Sequence, residues 1–448
     1  MNLKTIHNVY FIGIGGIGMS AIARYFSVNG KVVAGYDKTP TPITKSLEEI
    51  GIEIHFEDAV NNIPITFLST QKTLVVYTPA IPKNHLELNY FINNGYTVLK
   101  RAEILGEITK HTFCLAVAGT HGKTTTSAIL GHIMQPEKAT SFLGGIAENY
   151  NSNLILGEAK VSVVEADEFD RSFLKLAPNI ACVTSMDADH LDIYGENEFL
   201  QQSFREFASK VSDTLIVAKG LPLKGITYAV NEEADYKAHN VRIATGNYVF
   251  DVQTPTSEIK NIAFHLPGKH NMMNALAALA MADVYGVSLE NIKTQLGSFK
   301  GVQRRFSYKI KTEDMVLIDD YAHHPAEIKA VAQSIREMYP KEHVLVVFQP
   351  HLFSRTRDFA DDFAQALSLF NEVLLLDIYP AREVPIKGIT SSWLLEKITT
   401  DAKKLVTKEK LSDEIIKSAS KVVVMLGAGD IGLLVDEVKN KLEKKHKK

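Results

Sequence analysis

The sequence predicts an α/β protein built on parallel sheets and divided into three domains. Strand-like apolar runs and helix-like segments alternate along nearly all of its 448 residues, the order expected when helices cover parallel sheets. That length exceeds one ordinary hydrophobic core. Two glycine-bearing turns, at 13–18 and 119–122, each stand between an apolar run and a helical one.

The first block, residues 1–110, reads as strands over 9–12, 31–36, 53–56 and 73–77 and closes on a helix over 102–110. It opens with Gly13-Ile14-Gly15-Gly16-Ile17-Gly18, and Asp37 ends the next strand. This is a dinucleotide-type fingerprint, with the acidic residue near the spacing that reaches a ribose. Read functionally, a nucleotide diphosphate sits on the helix N-terminus. Read structurally, the stretch is a tight turn with no ligand. NAD is one candidate occupant, and a UDP-sugar pyrophosphate would use the same physics.

The second block, residues 111–300, has strands over 113–118, 161–165 and 180–184, and a long helix around 271–285. Gly119-Thr120-His121-Gly122-Lys123-Thr124-Thr125 leads from the first strand to a helix over 125–134. Such a loop turns backbone N–H groups toward a phosphate chain, with Lys123 as a point charge and the Thr124 hydroxyl within reach of Mg²⁺. ATP or a similar triphosphate is the expected ligand. The loop departs from the general pattern, because its earlier glycine is at 119 and position 117 is Val. The strand over 161–165 runs into Glu165-Ala166-Asp167-Glu168, so Glu165 is the candidate for the metal; a solvated acidic turn is the alternative. His190, in Asp189-His190-Leu191-Asp192, is either a ligand of a second divalent ion or a hydrogen-bonded bystander. Asn271 follows Pro267-Gly268-Lys269-His270, with Asn274 further along the helix. Asn271 either caps that helix or reads an adenine edge.

The third block, residues 301–448, begins at a short basic stretch over 300–306 that reads as a hinge. Arg304 and Arg305 suit bidentate anion binding or an interdomain ion pair. Strands are expected over 316–318, 344–348, 373–376 and 422–426. Asp319-Asp320-Tyr321-Ala322-His323-His324-Pro325 and the stretch from Phe348 to Arg357 lie just past strand ends, where open α/β sheets bind ligands. Adjacent histidines point apart, so one is read as functional and one as structural. A second glycine pattern over 427–432 lies too close to the C-terminus for a nucleotide fold to follow, and reads mainly as a strand-to-helix turn.

Composition excludes several classes. A net charge of −3 gives no reason to expect nucleic acid or a membrane surface. The lysine-rich stretch 439–448 reads as a solvated helix end. Cys114 and Cys182 lie in apolar strand-like runs, which fits buried free thiols in a reducing cytoplasm. No signal peptide is expected, since the strand over 8–12 runs straight into glycines, and no apolar run would span a bilayer.

Taken in order, these motifs resemble the Mur ligase family. The match runs from Gly13-Ile-Gly-Gly-Ile-Gly-Met-Ser20 through Gly119-Thr-His-Gly-Lys-Thr-Thr125, Glu165-Ala-Asp-Glu168 and Asp189-His-Leu-Asp192. It continues through Pro267-Gly-Lys-His-Asn271, Gly301-Val-Gln-Arg-Arg-Phe306 and Asp319-Asp-Tyr-Ala-His-His-Pro325 to Phe348-Gln-Pro-His351 and Gly427-Ala-Gly-Asp-Ile-Gly432. The resemblance implies a Rossmann-like UDP-binding domain, a P-loop-type central ATPase domain and a Rossmann-like C-terminal domain that admits an amino acid. It also accounts for the displaced glycine, since Gly-Thr-His-Gly-Lys-Thr-Thr is the family's own phosphate loop.

The activity implied is ATP-driven amide formation through an acyl phosphate, between the lactyl carboxylate of UDP-N-acetylmuramate and L-alanine, in the cytoplasm, by a monomer or weak homodimer. Carried over by motif, Gly119, Thr120, His121, Gly122, Lys123 and Thr125 would hold the phosphates. Thr124 and Glu165 would hold one Mg²⁺, and His190 a second. Asn271, Asn274, Arg304 and Asp319 would meet the nucleotide, and His323 and Arg355 the alanine and the reacting carboxylate. Gly13, Gly15, Gly16, Gly18, Met19, Ser20 and Asp37 would serve the UDP half. ATP on one domain and alanine on another implies closure about 300–306. Three positions depart from the family pattern: Leu352, where many relatives are basic; Arg382, which could compensate for it; and Ala322, a small change from glycine. Three rival readings stand beside this one: a relative that joins a whole peptide to the same sugar nucleotide, an NAD-dependent dehydrogenase, and a non-catalytic nucleotide-binding regulator.

Overall fold

The computed structural model describes residues 3–158, 160–187, 197–244, 247–381, 383–418 and 420–446. Three sheets follow one another along the chain, in a three-domain α/β architecture.

The first sheet has five parallel strands, in the order Glu53–His55, Val32–Tyr36, Asn8–Ile12, Thr73–Tyr77, Thr97–Lys100. The chain starts in the middle, builds toward one edge and then crosses to the other. The carboxyl ends of Asn8–Ile12 and Thr73–Tyr77 therefore meet at a topological switch point, where such sheets bind ligands. The glycine turn starts there, with Gly13 at φ +86°, and leads into the helix Ile17–Val28. Asn8–Ile12 is buried on both faces. Val9 and Phe11 pack into one core, and Tyr10 and Ile12 into another.

A buried polar group is built into the second of those cores. The Tyr10 hydroxyl donates to Glu87 Oε2 at 2.8 Å and lies 2.7 Å from His55 Nε2, and the Ala59 N–H donates to Glu87 Oε1 at 3.3 Å. Burial pushes the Glu87 carboxyl up to about 7, against the opposing pull of the Tyr10 and Ala59 hydrogen bonds. A carboxyl raised in the fold binds its proton more tightly there than in the unfolded chain. Its contribution to stability is thus complete below the ordinary value of 4.5 and is lost as pH rises through about 7. Melting curves should show wild type losing stability relative to Glu87→Gln between those two values; parallel curves would refute the assignment.

The second sheet has ten strands. Phe113–Ala118 lies near its middle, flanked in parallel by Val161–Glu165 and Ile180–Val183. Thr140–Ala147 and Ser152–Ile155 extend one side, the two running antiparallel. Thr214–Ala218, Ile226–Val230, Tyr236–Ala244, Asn247–Gln253 and Glu258–Phe264 extend the other.

The third sheet has six strands, in the order Ser307–Lys311, Val316–Asp320, Val422–Leu426, Val344–Phe348, Glu372–Leu375, Ala402–Leu405. The first is antiparallel and the rest are parallel. The carboxyl ends of Val316–Asp320, Val422–Leu426 and Val344–Phe348 are neighbours, with Asp320 and Phe348 both in register with Leu426.

The chain packs as two compact units. The first contains the first sheet and most of the second, running to Val241 and taking in Phe250–Ala263 and Met273–Phe299. The second comprises Arg242–Val249, Phe264–Met272 and the chain from Lys300 onward. The basic stretch over 300–306 begins where the chain passes from the first unit to the second at Phe299–Lys300, and it is folded there as a packed turn. Val302 and Phe306 are buried, Val302 bridges to Arg305, and the Arg304 carbonyl accepts the Tyr321 N–H at 2.7 Å. The late glycine pattern is likewise structural. A Cβ on Gly427 would lie 2.8 Å from the Gln349 carbonyl oxygen, and one on Gly432 would lie 2.5 Å from Arg304 Cζ.

Candidate active site

The phosphate loop is shaped by two left-handed glycines. Gly119 has φ +137°, and a Cβ there would lie 2.1 Å from Thr184 Oγ1. Gly122 has φ +81°, and a Cβ there would lie 2.4 Å from Asn274 Oδ1. Gly122 precedes the helix Lys123–Ile133, which starts two residues earlier than the apolar pattern predicts. Thr184 and Ser185 pin the loop from the next strand. The Thr120 N–H donates to the Ser185 carbonyl, the His121 N–H to Ser185 Oγ at 2.7 Å, and the Asp187 N–H to Thr120 Oγ1 at 3.1 Å. Asn274 also accepts from the Thr126 hydroxyl at 3.2 Å, and Thr125 is buried in the helix. Gly122→Ala combines a left-handed strain of about 1–2 kcal/mol with that clash. Calorimetry should find ATP affinity at least about tenfold weaker, and unchanged affinity would contradict the close approach.

Lys123 is almost enclosed. Its ammonium donates to the Gly119 carbonyl at 2.6 Å and to Glu168 Oε1 at 2.9 Å, with Glu168 Oε2 at 2.8 Å. Burial alone would depress the ammonium, but Glu168, Glu165 and Asp167 outweigh it and hold it above the ordinary lysine value. Lys123 is therefore a cation at neutral pH, and the fully buried Glu168 is its counter-ion.

Glu165 ends its strand beside the loop. Thr124 Oγ1 donates to Glu165 Oε1 at 3.1 Å, and the Gly144 N–H donates to Glu165 Oε2 at 3.0 Å. Gly144 must be glycine for this approach, since a Cβ there would lie 2.3 Å from Glu165 Oε2. Among the described residues no cluster of three or more His, Cys, Asp or Glu side chains is arranged for a metal. A hydroxyl and an oriented carboxylate at the mouth of a phosphate loop do suit Mg²⁺, which keeps waters and takes its remaining ligands from phosphates. His190 lies outside the described residues, so its expected metal role has no geometry here.

A cavity of about 250 Å³ opens between the glycine turn and Glu165, lined in part by Gly16, Gly18, Met19, Arg101, Gly144 and Asp167. Gly13, Gly15, Gly16, Gly18 and Met19 are thus at or beside it. Two expected ligand contacts are taken up by the protein itself. Asp37 accepts the Gly15 N–H at 2.7 Å and the Thr39 N–H at 3.2 Å, so its carboxylate closes the turn. Ser20 is fully buried, donating to the Ile17 carbonyl at 3.0 Å and accepting from Asn153 Nδ2 at 2.8 Å. It ties the helix to the second sheet.

The second unit carries a separate cluster at its strand ends. Arg304 lies 5.0 Å from the Tyr321 ring centroid, and its Nε is 3.7 Å from Asp319 Oδ1. Burial pushes the Asp319 carboxyl up to about 6, against the pull of Arg304 and Lys309. Asp320 accepts the Phe306 N–H at 2.6 Å and the Ala322 N–H at 2.7 Å, holding the turn that presents His323. Burial, with Arg355 nearby, sets His323 below the ordinary histidine value while Glu327 opposes, so the imidazole is neutral near pH 7. His324 caps the helix Pro325–Met338 in a capping box with Glu327, the structural member of the pair. Arg355 Nη1 is buried without a hydrogen-bond partner among the described residues. Asn271 is not a cap: the helix Lys269–Tyr285 begins two residues before it, and its amide donates to the Pro267 carbonyl at 2.7 Å. Leu352 sits at φ +70° ahead of the helix Phe353–Asp358, and Arg382 lies outside the described residues.

Sequence reasoning missed Arg101, Gly144 and the role of Glu168. Arg101 had no usable signal, because the strand Thr97–Lys100 that places it was not anticipated. Gly144 had none, because the strand Thr140–Ala147 was itself not anticipated.

Three family models match the chain in order. "Mur ligase family, catalytic domain" covers residues 8–113, "Mur ligase middle domain" 117–282, and "Mur ligase, glutamate ligase domain" 304–433. A relative from Flavobacterium psychrophilum, UDP-N-acetylmuramate–L-alanine ligase, is 62% identical over 449 residues, 99% of this chain and 100% of its own. The crystal structure of a UDP-N-acetylmuramate–alanine ligase from Thermotoga maritima is similar at TM-score 0.84 and 27% identity, over 98% of this chain and 99% of that one. A murein peptide ligase from Psychrobacter arcticus shares the fold at TM-score 0.72 and 21% identity, over 97% and 98% of the two chains.

Proposed function

The chain belongs to the Mur ligase family, and from that premise we propose that it joins L-alanine to the lactyl carboxylate of UDP-N-acetylmuramate, with ATP cleaved to ADP and phosphate. The carrying observation is the full-length identity to a ligase of that name. The peptide-adding relative shares only the fold, which favours the free amino acid as acceptor. No helix among the described residues is long and apolar enough to cross a membrane, which is compatible with a cytoplasmic reaction on these substrates.

In this reading a carboxylate oxygen attacks the γ-phosphorus and ADP leaves, giving an acyl phosphate. The alanine amine then attacks the acyl carbon, and phosphate leaves. Both steps bring anions together, so the chain's contribution is charge and position. Lys123, already cationic, meets the γ-phosphate after exchanging the loop carbonyl for it. The glycines at 119 and 122 leave room for backbone N–H groups to face the phosphates. Thr124 and Glu165 would hold Mg²⁺, which would neutralise phosphate charge. Asn271, Asn274, Arg304 and Asp319 are assigned to the nucleotide. Arg355, with its buried unpartnered Nη1, is assigned to a carboxylate. The neutral imidazole of His323 is assigned to take a proton from the alanine ammonium, freeing the amine that attacks.

Phosphate release should require ATP, UDP-N-acetylmuramate and an amino acid together, with L-alanine preferred over glycine, L-serine and peptides. Turnover with a peptide but not with L-alanine would turn the reading toward the peptide-adding relative. Release from ATP alone, or none with the full set, would refute it.

A further inference from the structure

The cavity beside the glycine turn has one cation among its described lining side chains, Arg101, against the carboxylates of Glu165 and Asp167. Arg101 opens the helix Arg101–Thr109, directly after the strand Thr97–Lys100. Its guanidinium lies against Gly18 in the first turn of Ile17–Val28. A Cβ on Gly18 would lie 2.6 Å from Arg101 Nη1 and 3.2 Å from Cδ, so glycine is what admits the arginine here. That helix has no side-chain cap and no acidic residue in its first turn; the Asp37 carboxylate is held on the Gly15 N–H just ahead of it. Arg101 Nη2 donates to Asp167 Oδ2 at 3.0 Å, and both side chains stay partly exposed, at 23% and 33%.

We infer that Arg101 receives the diphosphate of the sugar nucleotide, and that Asp167 is an internal anion that the diphosphate displaces. The inference rests on the reading that a UDP-sugar occupies this cavity. A diphosphate entering beside Gly16 and Gly18 meets the helix end and the guanidinium together. It offers several oxygens to a planar fork of donors, where Asp167 offers one carboxylate and adds negative charge beside Glu165. Arg–phosphate pairing is bidentate and charge-assisted, so the exchange favours the ligand. Asp167 then turns to solvent, which its exposure allows.

Titration calorimetry of the full chain with UDP tests this. Arg101→Ala should weaken UDP at least about tenfold, the loss expected for charge-assisted hydrogen bonds, while ATP affinity stays within about twofold of wild type. Arg101→Lys should recover part of the loss. Asp167→Asn should tighten UDP, because the competing charge is gone while the side chain keeps its shape. The assignment is overturned if wild type binds UDP and Arg101→Ala binds it equally well. It is also overturned if Asp167→Asn weakens UDP as much as Arg101→Ala does, since the pair would then be a structural tie. A wild type that binds no UDP at all overturns the sugar-nucleotide reading itself, and this assignment with it.

Discussion

Lys123→Met reduces ligation by about 10²–10³-fold, the effect of deleting one preorganised charge from a transition state that gathers anions. It also destabilises the protein. Glu168 is fully buried, and both its oxygens lie within 3 Å of the Lys123 ammonium. Removing one partner of such a pair leaves an uncompensated charge, at about 3–5 kcal/mol, or on the order of 10 °C in a domain of this size. The two effects are separable. The double variant Lys123→Met/Glu168→Gln should regain most of the lost melting temperature, because its buried site is neutral. It should regain none of the turnover, because the phosphate still lacks its cation. Recovered turnover in the double variant would mean that the single substitution acted only through stability.

That pair also marks what the sequence made legible. Lys123 was readable from spacing alone, because a Gly-Lys-Thr between an apolar strand and a helix has few other uses. Glu165 followed as the last residue of a strand beside it. Glu168, three residues on, looked like one more acid of a polar turn. It is fully buried at the head of the 3₁₀ turn Phe169–Lys175, which no local pattern announces. Most strands of the first and third sheets were visible as short apolar runs, but Thr97–Lys100, Ser307–Lys311 and Ala402–Leu405, which carry lysines, were not. Nor were Tyr236–Ala244, Asn247–Gln253 and Glu258–Phe264. Each mixes charged or amide residues into the run and carries exposed positions, so none reads as an apolar strand. Asp37 and Ser20 show the opposite limit. Their spacing relative to the glycine turn was as expected, but the protein uses one to close the turn and the other to join helix to sheet. Motif spacing places a residue at a site without saying whether the ligand or the chain claims its polar atoms.

Glu165→Gln should lower kcat/KM for ATP by at least about 10²-fold, the scale of one preorganised electrostatic contact, and raise the Mg²⁺ concentration needed for half-maximal rate. The substitution is chosen because the amide can keep the local contacts. Its oxygen can still accept the Gly144 N–H, now made at 3.0 Å, and its NH₂ can face Thr124 Oγ1, now at 3.1 Å. Fold and loop position are preserved; what is lost is the charge and one hard oxygen. If Glu165 served only to position Thr124 and Gly144, Gln would serve nearly as well and activity would stay close to wild type. If it is a metal ligand, added Mg²⁺ should partly restore the rate, since a weakened site refills by mass action. UDP binding separates a third case. Its diphosphate needs no metal at the ATP loop, so UDP should bind the variant at least as tightly as wild type, and a matching loss there would mean that Glu165 shapes the cavity rather than the metal site.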